Sequence, residues 1–401
     1  MNQLKHNLIK IYFFNFTMMF LVTIPIIVPY WKQFGLTLKE VYLLQAVFGF
    51  MMIILDVPAG YISDLFGRKH CLIAVGFINI FSYQFLLHGK NFFGFVLFEI
   101  CAALAYSLYS GCDIAMIYDT LDAIGEKKNE ITYLGKRVFY GQLGETIASF
   151  LGGMLAAYSL SLPVKINAIT ACLPFLIALT LVEPPRKKLD HQNHLKNIQF
   201  IFKSLFKHSS LLSLLIIFNI FYGFATFAAV WSYQTYWETV KIPIAYFGYL
   251  WAFFNLIVAL TARVSSKVES KINAKWMILF IGICPIIAYL GLWLNKTEFG
   301  VILIIFFSIS RAFNSVIIQN LINVRVPASM RATTNSFCSL GMRAIFFVAA
   351  PLIGSALDTE GVHATYKIMG IAYVILFFVI VIPLYLQKKA FRLQQISDSL
   401  I

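Results

Sequence analysis

Apolar runs closed by short charged or Pro/Gly-rich breaks fill most of this chain. Twelve stand near residues 11–30, 41–61, 71–88, 92–118, 138–160, 164–182, 211–237, 244–264, 276–294, 299–322, 336–357 and 366–386. Most have the roughly 20 residues that a helix needs to cross hydrocarbon, and in lipid a helix satisfies its own backbone. The pattern therefore predicts an all-α membrane protein of twelve spans. Lys5 and Lys10 precede the first run as they would in a secretory leader. That run is too long for a leader core and lacks a small-x-small cleavage site, so it counts as span one.

Composition points the same way. The chain is 60% hydrophobic and 12% charged, with mean hydropathy +0.78, far from the soluble balance. Its 39 Phe and 20 Tyr suit lipid-facing and interfacial surfaces. The net charge of +14 raises the question of nucleic acid, and the placement of the cations answers it. Of the 32 Lys and Arg, 23 fall before span one, after span twelve or in alternate loops on one side, and seven fall in the opposite loops. This positive-inside bias sets both termini in the cytoplasm, with membrane lipid rather than nucleic acid as the partner. The two remaining cations, Arg311 and Arg343, lie within runs.

No glycine-rich phosphate loop, nucleophile–base pair or His/Cys cluster stands out, which argues against an enzyme, an ATP-driven pump and a metal site. The six cysteines have no ligand spacing and read as small buried apolar residues. No cofactor is expected, and a proton gradient is the expected energy source.

The chain divides after span six. Residues 1–183 and 211–401 each hold six runs, and the linker 184–210 opens with Pro184-Pro185. Within the linker, Leu195, Ile198, Ile201, Phe202, Leu205 and Phe206 recur at helical spacing between cations, as in a helix lying on an anionic surface. Ala148 to Gly153 in span five is echoed by Ala350 to Ser355 in span eleven. Two six-helix pseudo-repeats are the implied organisation.

The segment Asp56 to His70 closes span two with two acids, Gly60, Gly67 and two cations. Gly60, Asp64, Gly67, Arg68 and Lys69 fit the G-x-x-x-D-[RK]-x-G-[RK]-[RK] signature, with Leu65 in place of a cation, and the chain resembles the major facilitator superfamily. The resemblance implies two six-helix lobes around a central cavity lined by spans one, four, seven and ten, working by alternating access as a monomer. It also implies a cytoplasmic gate in which Arg68 meets Asp119 or Asp122 at the end of span four. There, Asp64 caps span eleven, and Asp56 sits at the packing edge. In span five, Gly144, Gly152 and Gly153 match the ends of the exporter signature of that family, with Ala148-Ser149 replacing its Gly-Pro core. With Gly141 they read equally well as a close-packing glycine face.

Ionisable residues inside spans are costly, so each marks a cavity or a partner. The first half holds Asp56, Glu99, Asp113 and Glu145, and the second holds Arg311 and Arg343, a separation by sign. Glu145, helped by Asp113, is the expected proton carrier. Arg311 and Arg343, with Glu99, Asn15, Tyr109, Asn219, Tyr222, Gln234 and Asn314, are the expected substrate contacts. The reading that follows is export of a drug-like compound or metabolite across a bacterial inner membrane, coupled to protons. An anionic metabolite such as a polycarboxylate siderophore, exported or taken up, is the alternative that the two arginines raise. A membrane sensor without transport is a third, disfavoured by so many intramembrane charges.

Overall fold

The computed structural model describes residues 2–185, 210–327 and 330–387, and all the regular structure in them is helical. The amphipathic stretch of the linker lies outside the described residues. Ten helices among the described residues are long and apolar enough to cross a membrane. Spans one and five complete the set of twelve, and each departs from a plain apolar helix for its own reason.

Span one is broken. A helix Asn2–Met18 gives way to a non-helical turn, a 3₁₀ turn Ile24–Ile26 and a short helix Ile27–Lys32. Pro25 has no N–H with which to continue the ladder, so the break falls just before it. The groups this frees are met by span six: Asn167 Oδ1 accepts from the Thr23 N–H at 3.1 Å, and Asn167 Nδ2 donates to the Phe20 carbonyl at 3.3 Å. Span five is the helix Glu130–Ala156, and it carries Glu130, Lys136, Arg137 and Glu145 along its length.

The remaining spans follow their local signals. Span two, Leu38–Phe66, starts at a Thr37/Glu40 capping box and stops at Gly67, whose φ of +102° favours glycine. Span three, Arg68–His88, begins on the next residue. Span four, Phe92–Ile124, is capped by the Asn91 side chain and ends at Gly125 in the left-handed conformation. Span six is split into Ser161–Thr170 and Cys172–Leu179, ahead of Pro174.

Beyond the linker, spans seven, eight and nine are Ser210–Val230, Phe247–Lys271 and Ala274–Leu294. Span ten runs from Glu298 to Asn323 with a π turn at Asn314–Ile318. Spans eleven and twelve are Arg331–Thr359 and Gly361–Leu386, the latter with a π turn just before Pro383.

The chain forms two compact units: residues 1–190 with 243–252, and residues 191–242 with 253–401. Helix neighbours correspond between them. Span one packs on five and span three on four and six; in the second unit span seven packs on eleven and span nine on ten and twelve. This correspondence supplies the repeat that the short sequence echo could only hint at. The core of the first unit gathers Ile11, Phe14, Leu72, Val75, Cys112 and Met116. That of the second is aromatic, with Tyr289 stacked on Tyr373 at 5.6 Å and Phe218 on Tyr222 at 4.3 Å. Tyr222, expected to contact substrate, is fully buried in this stack.

Candidate functional site

One buried polar network joins spans one, four and five of the first unit. Arg137 Nε donates to Asp113 Oδ2, and the Asp113 side chain is wholly buried while that of Arg137 is 16% exposed. Asp113 Oδ1 also accepts the Ile114 N–H at 2.7 Å. The Tyr109 hydroxyl donates to Asn15 Oδ1, Asn15 Nδ2 donates to the Arg137 carbonyl, and the guanidinium lies over the Tyr109 ring at 5.7 Å. A side chain at Gly141 would collide with Asn15, so that glycine lets span one approach. Tyr109 packs against Phe14 and Tyr106, and Tyr106 is exposed. A carboxylate and a guanidinium buried together neutralise one another, leaving a site with no net charge and aromatic walls.

Three of these residues, Asn15, Tyr109 and Asp113, were expected to serve the site. The fourth was not. Arg137 reads from sequence as a loop cation beside Lys136, yet span five begins at Glu130 and places it two turns inside. The expected separation of acids from arginines therefore fails in the first unit, where the principal acid has its own arginine. The signal was present: positions 137, 141, 144, 145, 148 and 152 share one helical face, and that face is otherwise small or polar.

Asp113, expected to help Glu145, is bonded to Arg137. Glu145 accepts from Gln142 and from the Trp251 indole, each at 3.4 Å. Trp251 belongs to the first turns of span eight, which group with the first unit. The same turns approach span five closely: a Cβ at Gly153 would lie 2.7 Å from the Gly248 nitrogen, and one at Gly248 would overlap the Ser149 carbonyl. Gly144 and Gly152 likewise face the Phe16 and Val22 carbonyls of span one. The glycines of span five are thus close-packing positions on two neighbours. Glu99 lies apart, buried, with Gln45 Nε2 donating to its Oε1 at 2.7 Å.

At the turn between spans two and three, Arg68 Nε donates to Asp119 Oδ2 at 2.9 Å, and the side chains are only 14% and 26% exposed. Asp122, the alternative partner, instead pairs with Lys127 at 3.4 Å on an exposed surface, a contact worth little. Glu183, the last residue of the first lobe, adds a feature that sequence reading did not assign. Its carboxylate accepts the backbone N–H groups of Arg68 and Lys69 at 2.8 and 2.7 Å, satisfying and complementing the positive end of span three. Asp56 is half-buried on span two. Gly60 and the Asp64 side chain lie outside the described residues.

In the second unit Asn314, within the π turn of span ten, donates to the Asn219 carbonyl at 3.1 Å and accepts from the Asn219 amide at 3.4 Å. These two expected contacts are thus brought together. Gln234 is fully buried and Arg343 half-buried. Arg311 is exposed and makes no ion pair among the described residues.

The chain matches the family model of the Major Facilitator Superfamily over residues 8–340. An uncharacterised MFS-type transporter of Methanocaldococcus jannaschii is 23% identical over 382 residues, 92% of this chain and 96% of that one. Quinolone resistance protein NorA of Staphylococcus aureus strain MRSA252 is 23% identical over 247 residues, 60% of this chain and 62% of its own length. Among solved structures, nucleoside transporter NupG aligns at TM-score 0.79 and 14% identity over 95% of this chain and 99% of that one. A bacterial homologue of the human lysosomal transporter Spinster aligns at 0.73 and 16% over 97% and 98%. At such identities the structural likeness speaks for the fold, two six-helix repeats, and not for the substrate. The family match spans most of the chain and agrees with the apolar helices and the paired repeats, so the protein belongs to the Major Facilitator Superfamily and is a multi-pass membrane transporter rather than an enzyme.

Proposed function

We propose that the protein exports an amphiphilic organic solute, a drug-like compound or metabolite, from the cytoplasm across a bacterial inner membrane in exchange for protons. The observation that carries this reading is the internal neutralisation of charge where spans one, four and five meet. Asp113 is answered by Arg137, so a solute reaching Tyr106 and Tyr109 meets aromatic rings and hydroxyls rather than a bare charge. Such surroundings suit a solute with an apolar body and a few polar groups. The likeness to NorA, named for quinolone resistance, supports the outward direction. Arg68 with Asp119 serves as a cytoplasmic gate contact in this reading.

Purified protein heated with a fluorescent quinolone, or with citrate as a polycarboxylate, tests it. A rise in unfolding temperature with the quinolone and none with citrate is the expected result. The reverse would overturn the choice of solute.

Arg311 favours a second reading, uptake or export of an anionic metabolite, because an exposed mid-span guanidinium without an ion pair among the described residues is a ready carboxylate ligand. Citrate that stabilises the wild type but not Arg311→Ala would establish that reading in place of the first.

A further inference from the structure

Among the described residues of the first unit, Glu99 is a fully buried acid with no cation bonded to it. Asp113 has Arg137, Asp119 has Arg68, and Glu126 has Lys5 at 3.2 Å. The partner bonded to Glu99 is a neutral amide: Gln45 of span two donates to Oε1 at 2.7 Å. Tyr83 of span three is buried in the same part of the lobe and interacts electrostatically with the carboxyl. Thr23 stands in the break of span one and donates both its N–H and its hydroxyl to Asn167 Oδ1, at 3.1 and 3.3 Å. Span four itself brings Phe98, which packs against Tyr83 at 5.8 Å and Trp31 at 6.5 Å. The Trp31 indole N–H is buried with no partner among the described residues.

Two buried polar pairs thus stand in this lobe, Asn167 with Thr23 at the break of span one and Gln45 with Glu99 between spans two and four. The second holds a carboxyl group whose hydrogen-bond partner is neutral. An ionised carboxylate buried with one neutral donor is costly, and charges of this kind are kept when they are neutralised or paired. Among the described residues no lysine, arginine or histidine forms an ion pair with it. The neutralising group that the site admits is a proton.

We propose that Glu99 is the proton-carrying residue of the transport cycle. This assignment rests on the proton-exchange reading above and moves the coupling role away from Glu145 and Asp113. Asp113 is committed to a guanidinium, and Glu145 sits on a helix face that is only half-buried. The proton is bound at a carboxylate oxygen when the site is closed to water and released from it when the site opens. The Gln45 amide stabilises the carboxylate left behind.

The test uses the full chain in proteoliposomes with an imposed pH gradient and a fluorescent quinolone as probe. The wild type is expected to accumulate the probe against its gradient. Glu99→Gln is expected to lose that accumulation to the level of protein-free vesicles while still exchanging labelled for unlabelled probe across equal compartments. Glu145→Gln is expected to keep it. A wild type that exchanges the probe but ignores the pH gradient would sink the proton-exchange reading itself. A wild type that responds, with Glu99→Gln responding equally, would sink the Glu99 assignment alone. Should Glu99→Gln fail to exchange at all, Gln45→Leu decides, because loss of one hydrogen bond to the carboxylate is expected to move the pH of half-maximal accumulation by about one unit. An unmoved midpoint would overturn the assignment.

Discussion

Arg137 shows what the residue scale adds to a reading of this chain. Its guanidinium is the counterion that allows Asp113 to be fully buried, and removing one member of a buried pair strands the other. Arg137→Ala is therefore expected to destabilise the protein by about 3–5 kcal/mol, and Asp113→Asn with Arg137→Gln to recover part of that loss. Unfolding of the single and double variants in detergent checks the cycle. Additive losses would mean that the pair is not coupled. Sequence could nominate Asp113, Tyr109 and Asn15, since polar residues in apolar runs declare themselves. It could not give Asp113 its partner, which stands 24 residues away at the edge of a loop. Glu183 was hidden in the same way, because an acid before Pro184-Pro185 shows no role until the first turn of span three is seen to rest on it. Replacing Glu183 with Ala leaves two backbone N–H groups without their acceptor, and a loss of about 1–2 kcal/mol is expected in the same unfolding measurement.

At the scale of elements, the glycine face of span five sets how closely its neighbours come. Gly153 and Gly248 bring two backbones together where no side chain fits, and the contact each would meet is backbone that cannot move aside. Gly248→Ala is expected to destabilise by about 1–3 kcal/mol and to reduce transport. Gly111→Ala on span four, where a Cβ meets open space, is expected to be neutral or to stabilise slightly. Equal effects in a thermal-unfolding comparison would show that the close approach is not what these glycines provide. Gly152 and Gly153 were legible as packing positions, but which neighbours they admit was not. A sequence gives the face of a helix and not the element opposite it. The break in span one was equally out of reach, since Pro25 marks a weak point without saying that Asn167 of span six repairs it.

For the whole molecule, hydropathy was enough to divide the chain into its spans, because a bilayer demands long apolar helices and leaves little else. The two-repeat organisation needed the structure: only a six-residue echo survives in sequence, whereas matching helix neighbours recur across both units. Function is legible only to the level of a transporter, since the fold serves solutes as different as those named for its structural relatives. What the site adds is a charge-neutral aromatic wall and one buried acid without a counterion among the described residues. Everted membrane vesicles containing the protein, energised so that their interior is acid and exposed to a fluorescent quinolone, test the central claim most directly. Uphill accumulation of the quinolone that collapses when a protonophore is added is the result predicted. Accumulation that does not occur, or that persists after the proton gradient is gone, would contradict it.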